Sequence, residues 1–153
     1  MARLTLFAGL LAFMATISGC DSYGTKLTFQ KGELYYTENV DEAQARKLGE
    51  FLVEKKYFTD DKAVTVQLDR QDGKFQVRMV VVDDYQSKTD VYPKSYRIMA
   101  ALISEDVFDG SPVEIHLTDN RLKTHEVVQP DAEFAKLLKL TKQRKHKNVA
   151  SNR

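Results

Sequence analysis

Residues 64–81 carry the pattern that limits the fold most tightly. Asp72-Gly73 stands between two alternating runs, Val64-Thr65-Val66-Gln67-Leu68 and Gln76-Val77-Arg78-Met79. The dipeptide suits a two-residue type I′ hairpin turn, whose central positions both need positive φ. That turn pairs Gln71 with Lys74. Counting outward, Leu68 meets Val77, Val66 meets Met79 and Val64 meets Val81, so one face is apolar throughout. Gln67–Arg78 and Asp69–Gln76 fall on the other face. A slip of one residue would exchange the two faces, so the register is strongly specified.

Helical periodicity flanks this hairpin. Ala45, Leu48, Phe51 and Leu52 recur at helical spacing, after an expected cap at Asn39 with Glu42 three residues on. A second helix opens between Asp90 and Pro93, with Tyr96, Met99, Leu102 and Ile103 on its apolar side. A strand is expected at Glu33–Thr37. A further hairpin is expected after Pro112, turning at Asp119-Asn120. That turn would pair Leu117 with Leu122, Ile115 with Thr124, His116 with Lys123 and Glu114 with His125. It also sets Val113 against Glu126, so residues 122–128 read as an edge strand.

The resulting class is α+β, in the order β-α-β-β-α-β-β. Its first six elements resemble the ferredoxin-like split β-α-β pattern. This implies an antiparallel sheet with helices on one face and an additional edge strand. Phe58 before Val64–Leu68 and Phe108 before Val113–Leu117 suggest an internal duplication of an αββ unit. Pro130-Asp131 opens a short third helix with Phe134, Leu137 and Leu138 available to pack. From Thr141 the chain is polar and basic and is expected to be disordered. The body before it carries more acid than base, although the full sequence has a formal net charge of only +1.

The first twenty residues concern address rather than fold. Arg3 precedes an apolar run of about 14 residues, Leu4 to Ile17, then Ser18-Gly19-Cys20. A membrane-spanning helix needs roughly 20 apolar residues, so a cleaved signal fits better. Residues 1–21 resemble the lipobox signal peptide of bacterial lipoproteins. The resemblance implies cleavage before Cys20 and acylation of its sulfur with a diacylglyceryl group, usually with a third chain on the amine. It places the protein on the extracytoplasmic side of a membrane, in a periplasm or cell envelope. Asp21 tilts that placement toward the inner membrane. Several acyl chains together hold far better than one, which anchors only marginally. The division is then signal 1–19, lipidated tether 20–31, one α+β domain 32–140 and a basic tail 141–153.

Little chemistry is offered. Cys20 is the sole cysteine, so acylation leaves no thiol for a disulfide, a metal or a nucleophile. No phosphate-binding glycine loop, nucleophile elbow or H-E-x-x-H motif occurs. The nearest approach to a metal set is Glu114, His116 and His125 on one hairpin face. Lys123 intrudes there, and His–Glu pairing across strands is ordinary surface chemistry. No metal, cofactor or catalytic residue is therefore expected. Asp60-Asp61, Asp83-Asp84 and Glu105-Asp106 read as solvated turns. Lys139, Lys142, Arg144, Lys145 and Lys147 could contact anionic lipid or another polyanion. Nucleic acid is not an expected partner of an exported chain. Two functions follow as expectations. One is a membrane-anchored, non-enzymatic module that binds an envelope protein. The other is an anchored inhibitor or immunity-type protein against a toxin or hydrolase.

Overall fold

The computed structural model describes residues 23–81 and 92–151. The signal, Cys20, Asp21 and Asp83-Asp84 lie outside the described residues. The order is β1 (Thr25–Phe29), β2 (Gly32–Tyr36), α1 (Glu42–Glu54), β3 (Val64–Gln71), β4 (Lys74–Val80), α2 (Tyr92–Leu102), β5 (Val113–Thr118), β6 (Thr124–Val128) and α3 (Ala132–Ser151). A π-helical turn, Ile103–Val107, prolongs α2.

The chain is α+β, with a six-stranded mixed sheet and three helices. The strands lie in sequential order from β1 to β6. Each hairpin is antiparallel, whereas β2/β3 and β4/β5 are parallel. The antiparallel, ferredoxin-like sheet expected above is therefore not the one observed. Here α1 and α2 each link neighbouring strands, and a crossover of that kind makes the two strands parallel.

Leu34, Val66, Met79 and Leu117 form a row of register partners, all fully buried on one face. Ala45, Leu48 and Leu52 of α1 and Tyr96 and Ala100 of α2 share their core. Both helices thus cover the same face. Since β2 and β4 run in opposite directions and both helices carry the chain the same way across the sheet, the two crossovers have opposite hands. Right-handed crossovers dominate known sheets. The ferredoxin-like order keeps both of that hand by returning its fourth strand to the other edge; this chain adds each hairpin to one side.

The first hairpin follows its expected register, with Leu68 opposite Val77, Val66 opposite Met79 and Gln67 opposite Arg78. The second does not. Ile115 pairs with Val128, His116 with Val127 and Leu117 with Glu126, and a bulge follows at Leu117/Thr118. The loop is longer than two residues because Asp119 organises it, accepting from the backbone amides of Arg121 and Lys123. The observed register brings Val128 into the core, where the expected one would have set Glu126 against Val113.

Three further expectations are corrected. Residues 25–29, expected in a tether, form β1, whose Leu27 and Phe29 pack on the core. The cap of α1 is Asp41, in a capping box with Gln44, while Asn39 donates to Asp69 instead. The segment from Thr141 is helical as far as Ser151. It continues α3, held to the π-helical turn by Lys139–Glu105 at 3.4 Å and Lys142–Asp106 at 2.9 Å.

Gly32 opens β2 beneath the buried ring of Phe58, and a Cβ there would overlap that ring. Gly32→Ala should destabilise the domain by about 1–3 kcal/mol through overpacking. Gly73 adopts φ +77 with open space around it, so Gly73→Ala should cost only about 1 kcal/mol, through backbone strain. Urea denaturation of the two variants should rank them in that order.

Candidate functional site

Because the core face takes every second strand residue, the other face receives the alternate set. It forms a row of register partners across all six strands: Lys26, Tyr35, Gln67, Arg78, His116 and Val127. A second row holds Asp69, Gln76 and Glu114. Neither α1 nor α2 covers this face, yet Gln67, Asp69, Gln76 and Glu114 are buried. They bury one another.

Arg78 is the hub. Its Nη1 donates to Gln67 Oε1 at 2.9 Å and to Asp69 Oδ2 at 3.4 Å, and its Nη2 donates to Gln76 Oε1 at 2.6 Å. Asp69 Oδ1 also accepts from Thr37 Oγ1 at 2.6 Å, Asn39 Nδ2 at 3.0 Å and the Arg70 amide at 2.8 Å. Its Oδ2 accepts from Gln71 Nε2 at 2.7 Å. Burial pushes the Asp69 carboxyl up, but the donors from Thr37, Asn39, Arg70 and Arg78 outweigh it and bring the pKa to about 2.

Glu114 is the second node. It accepts from His116 Nε2 at 3.0 Å, Gln129 Nε2 at 3.2 Å and Gln76 Nε2 at 3.3 Å, with Lys74 Nζ at 3.4 Å. Burial opposes its charge, but His116, Gln129 and Lys74 hold its pKa below the usual carboxylate range. An ionised carboxylate only accepts, so His116 Nε2 carries a proton. The other nitrogen, Nδ1, lies 3.2 Å from Thr124 Oγ1.

The order Thr124–His116–Glu114 has the connectivity of hydroxyl, base and orienting acid. Its carboxylate is committed to four donors. A depression of about 380 Å³ lies away from this face, between α1 and the π-helical turn, lined by Lys47, Glu50, Glu54, Lys55 and Asp106. It shares no residue with the polar rows.

Of the sequence-predicted set, Glu114 and His116 are in contact, but the revised register takes His125 away from Glu114. Among the described residues no three His, Cys, Asp or Glu side chains gather as a metal centre would. Lys139 and Lys142 are engaged with the π-helical turn; Arg144, Lys145 and Lys147 are exposed on α3. No helix among the described residues is long and apolar enough to cross a membrane. Sequence reasoning missed Arg78, Asp69, Gln76 and Gln67 as a site, although their shared face followed from the hairpin register.

A family model described as a family N-terminal domain matches residues 26–129. An uncharacterized protein of Archaeoglobus fulgidus is 30% identical over 124 residues, covering 79% of this chain and 50% of the relative. The chain thus spans about half the length of that curated relative. No solved structure matches.

The Asp69 shift makes stability depend on acid. A carboxyl whose folded pKa is lowered from 3.8 to about 2 stabilises the fold above its unfolded pKa. That contribution is lost as pH falls through the window from about 4 to about 2. It amounts to about 2 kcal/mol at neutral pH. Asp69→Asn should remove roughly that much at pH 7 and flatten the acid limb between pH 4 and 2, as followed by urea denaturation at stepped pH.

Proposed function

We propose, for a chain that belongs to the AF_1994_N family of N-terminal domains, that it is a lipid-anchored binding module of the cell envelope without catalytic activity. Cys20 carries the acyl chains once residues 1–19 are removed, and the domain sits on the extracytoplasmic side. The anchor rests on residues of this chain alone, since the relative is archaeal and uncharacterized. The binding function is supported by one observation above all. β6 ends the sheet, with no strand beyond it among the described residues, and it contains no Lys, Arg or Pro. Its Val127 is 46% exposed. The other edge, β1, carries Lys26, the type of residue that blunts strand addition. An extended segment of an envelope protein would add to β6, with backbone hydrogen bonds giving affinity and Val127 a side-chain contact. We also read the recurrence of helix and hairpin in α1–β3–β4 and α2–β5–β6 as an internal duplication.

Two measurements test the two halves separately. Mass spectrometry of the processed protein should find the chain beginning at Cys20 with diacylglyceryl on sulfur; a bare thiol there would remove the anchor. A photo-crosslinking residue at His125 should trap a discrete envelope protein in cells, whereas one at Thr28 in β1 should not. Val127→Lys should abolish the adduct by charging the edge. Equal trapping at both positions, or none, would remove the β6 assignment. A trapped toxin or hydrolase would replace the module reading by the inhibitor one.

A further inference from the structure

Tyr23 does not prolong β1 along its axis. Gly24, at φ +89, turns the chain where a Cβ would collide with the Tyr36 carbonyl. The Tyr23 carbonyl accepts from Gln67 Nε2 at 2.9 Å, and its ring meets that of Tyr35 edge-on with centroids 5.1 Å apart. Its hydroxyl donates to the Asn120 carbonyl at 2.5 Å. Tyr35 and Gln67 belong to the open face of the sheet, and Asn120 to the β5–β6 loop. Tyr23 is therefore a strap laid across that face.

Cys20 lies three residues before the strap. A chain extends at most about 3.6 Å per residue, so Cys20 stays within roughly 11 Å of Tyr23. We propose that acyl chains on Cys20 hold the open face of the sheet against the headgroups of an anionic bilayer, instead of letting the domain swing on a long tether. The inference rests on the Cys20 reading above and adds an orientation to it.

The chemistry of the face fits that occupant. Its lysines stand outermost, with the Lys26 and Lys74 side chains 46% and 50% exposed. Glu114 and Asp69 are recessed, with side chains only 11% and 4% exposed, whereas Glu33, 38% exposed, pairs with Lys26 at 2.6 Å, so that Lys74, Arg121 and Lys123 are the cations the face presents. Arg121 and Lys123 on the loop beside Tyr23 are exposed. The one carboxylate between strand and loop, Asp119, is turned to their backbone amides. An anionic surface would meet cations first. The helix α3 packs on α2 and the π-helical turn, in the layer on the other side of the sheet. Arg144, Lys145 and Lys147 would then face away from the bilayer.

The test uses the chain from Cys20 onward, which holds every described element. Its single thiol is coupled to a maleimide lipid in vesicles of phosphatidylcholine and phosphatidylglycerol. Coupling this way separates orientation from acylation: the result stands whether or not cells acylate Cys20. A fluorescent amino acid is placed at Thr28 or Val127, at opposite margins of the open face, or at Lys145 on α3. Quenching by headgroup-nitroxide lipid should be several-fold stronger at both face positions than at Lys145. Equal quenching at all three, or stronger quenching at Lys145, would overturn the proposal. Arg121→Gln with Lys123→Gln alters exposed side chains only. Uncoupled, this double variant should bind the same vesicles more weakly, by roughly fivefold per charge removed. Unchanged binding would remove the electrostatic part of the claim.

Discussion

Everything on the open face depends on the Arg78 guanidinium. The alternation that sends Val66, Leu68, Val77 and Met79 into the core sends Gln67, Asp69, Gln76 and Arg78 the other way. A half-covered layer of this kind is costly unless each polar atom finds a partner. The fork of Arg78 reaches both strands of the hairpin, bridging Gln67 and Asp69 on β3 to Gln76 on β4. Gln76 passes the connection to Glu114 on β5. Among the described residues no buried side-chain nitrogen or oxygen is left without a hydrogen bond. Removing one member of such a network would strand its partners, at the desolvation cost of each.

The same saturation bears on chemistry. A general base needs a proton acceptor that is free at the moment of reaction. His116 has the connectivity of such a base, but it is held between Glu114 and Thr124. Glu114 and Asp69 each neutralise several donors and are held ionised by them. Groups arranged in this way stabilise a surface; they are poorly placed to exchange protons with a substrate.

What could be read from the sequence divides along the same lines. The first hairpin was legible because Asp72-Gly73 fixes its register and four core residues confirm it. The helices were legible from their apolar periodicity. The second hairpin was not, because Asp119 closes a longer loop through side-chain bonds that no dipeptide rule encodes. β1 was missed because two apolar residues, Leu27 and Phe29, are too few to show a period, and its turn uses Gln30 at φ 55 in place of a glycine. The helical end of α3 was hidden by its composition: ion pairs to Glu105 and Asp106 hold lysines that read as solvated. Sheet order was beyond local pattern altogether, since ferredoxin-like and sequential arrangements share one order of elements. The polar face lay within reach, for it is the complement of the apolar one; what the pattern lacked was that these residues would bury each other.

Tyr23 joins the polar network to the β5–β6 loop. Its carbonyl accepts from Gln67, and its hydroxyl bonds to the β5–β6 loop that departs from a two-residue turn. One residue, through its carbonyl and its hydroxyl, thus links the start of the described chain to the network and to the loop before β6. If the open face lies on a bilayer, the helix layer points away from it and both sheet edges lie to the side. A strand joining β6 would then approach parallel to the membrane, within reach of a segment that is itself tethered nearby. Anchoring and strand addition would reinforce each other through effective concentration, so even a short edge of five residues could hold a partner that it would release in free solution.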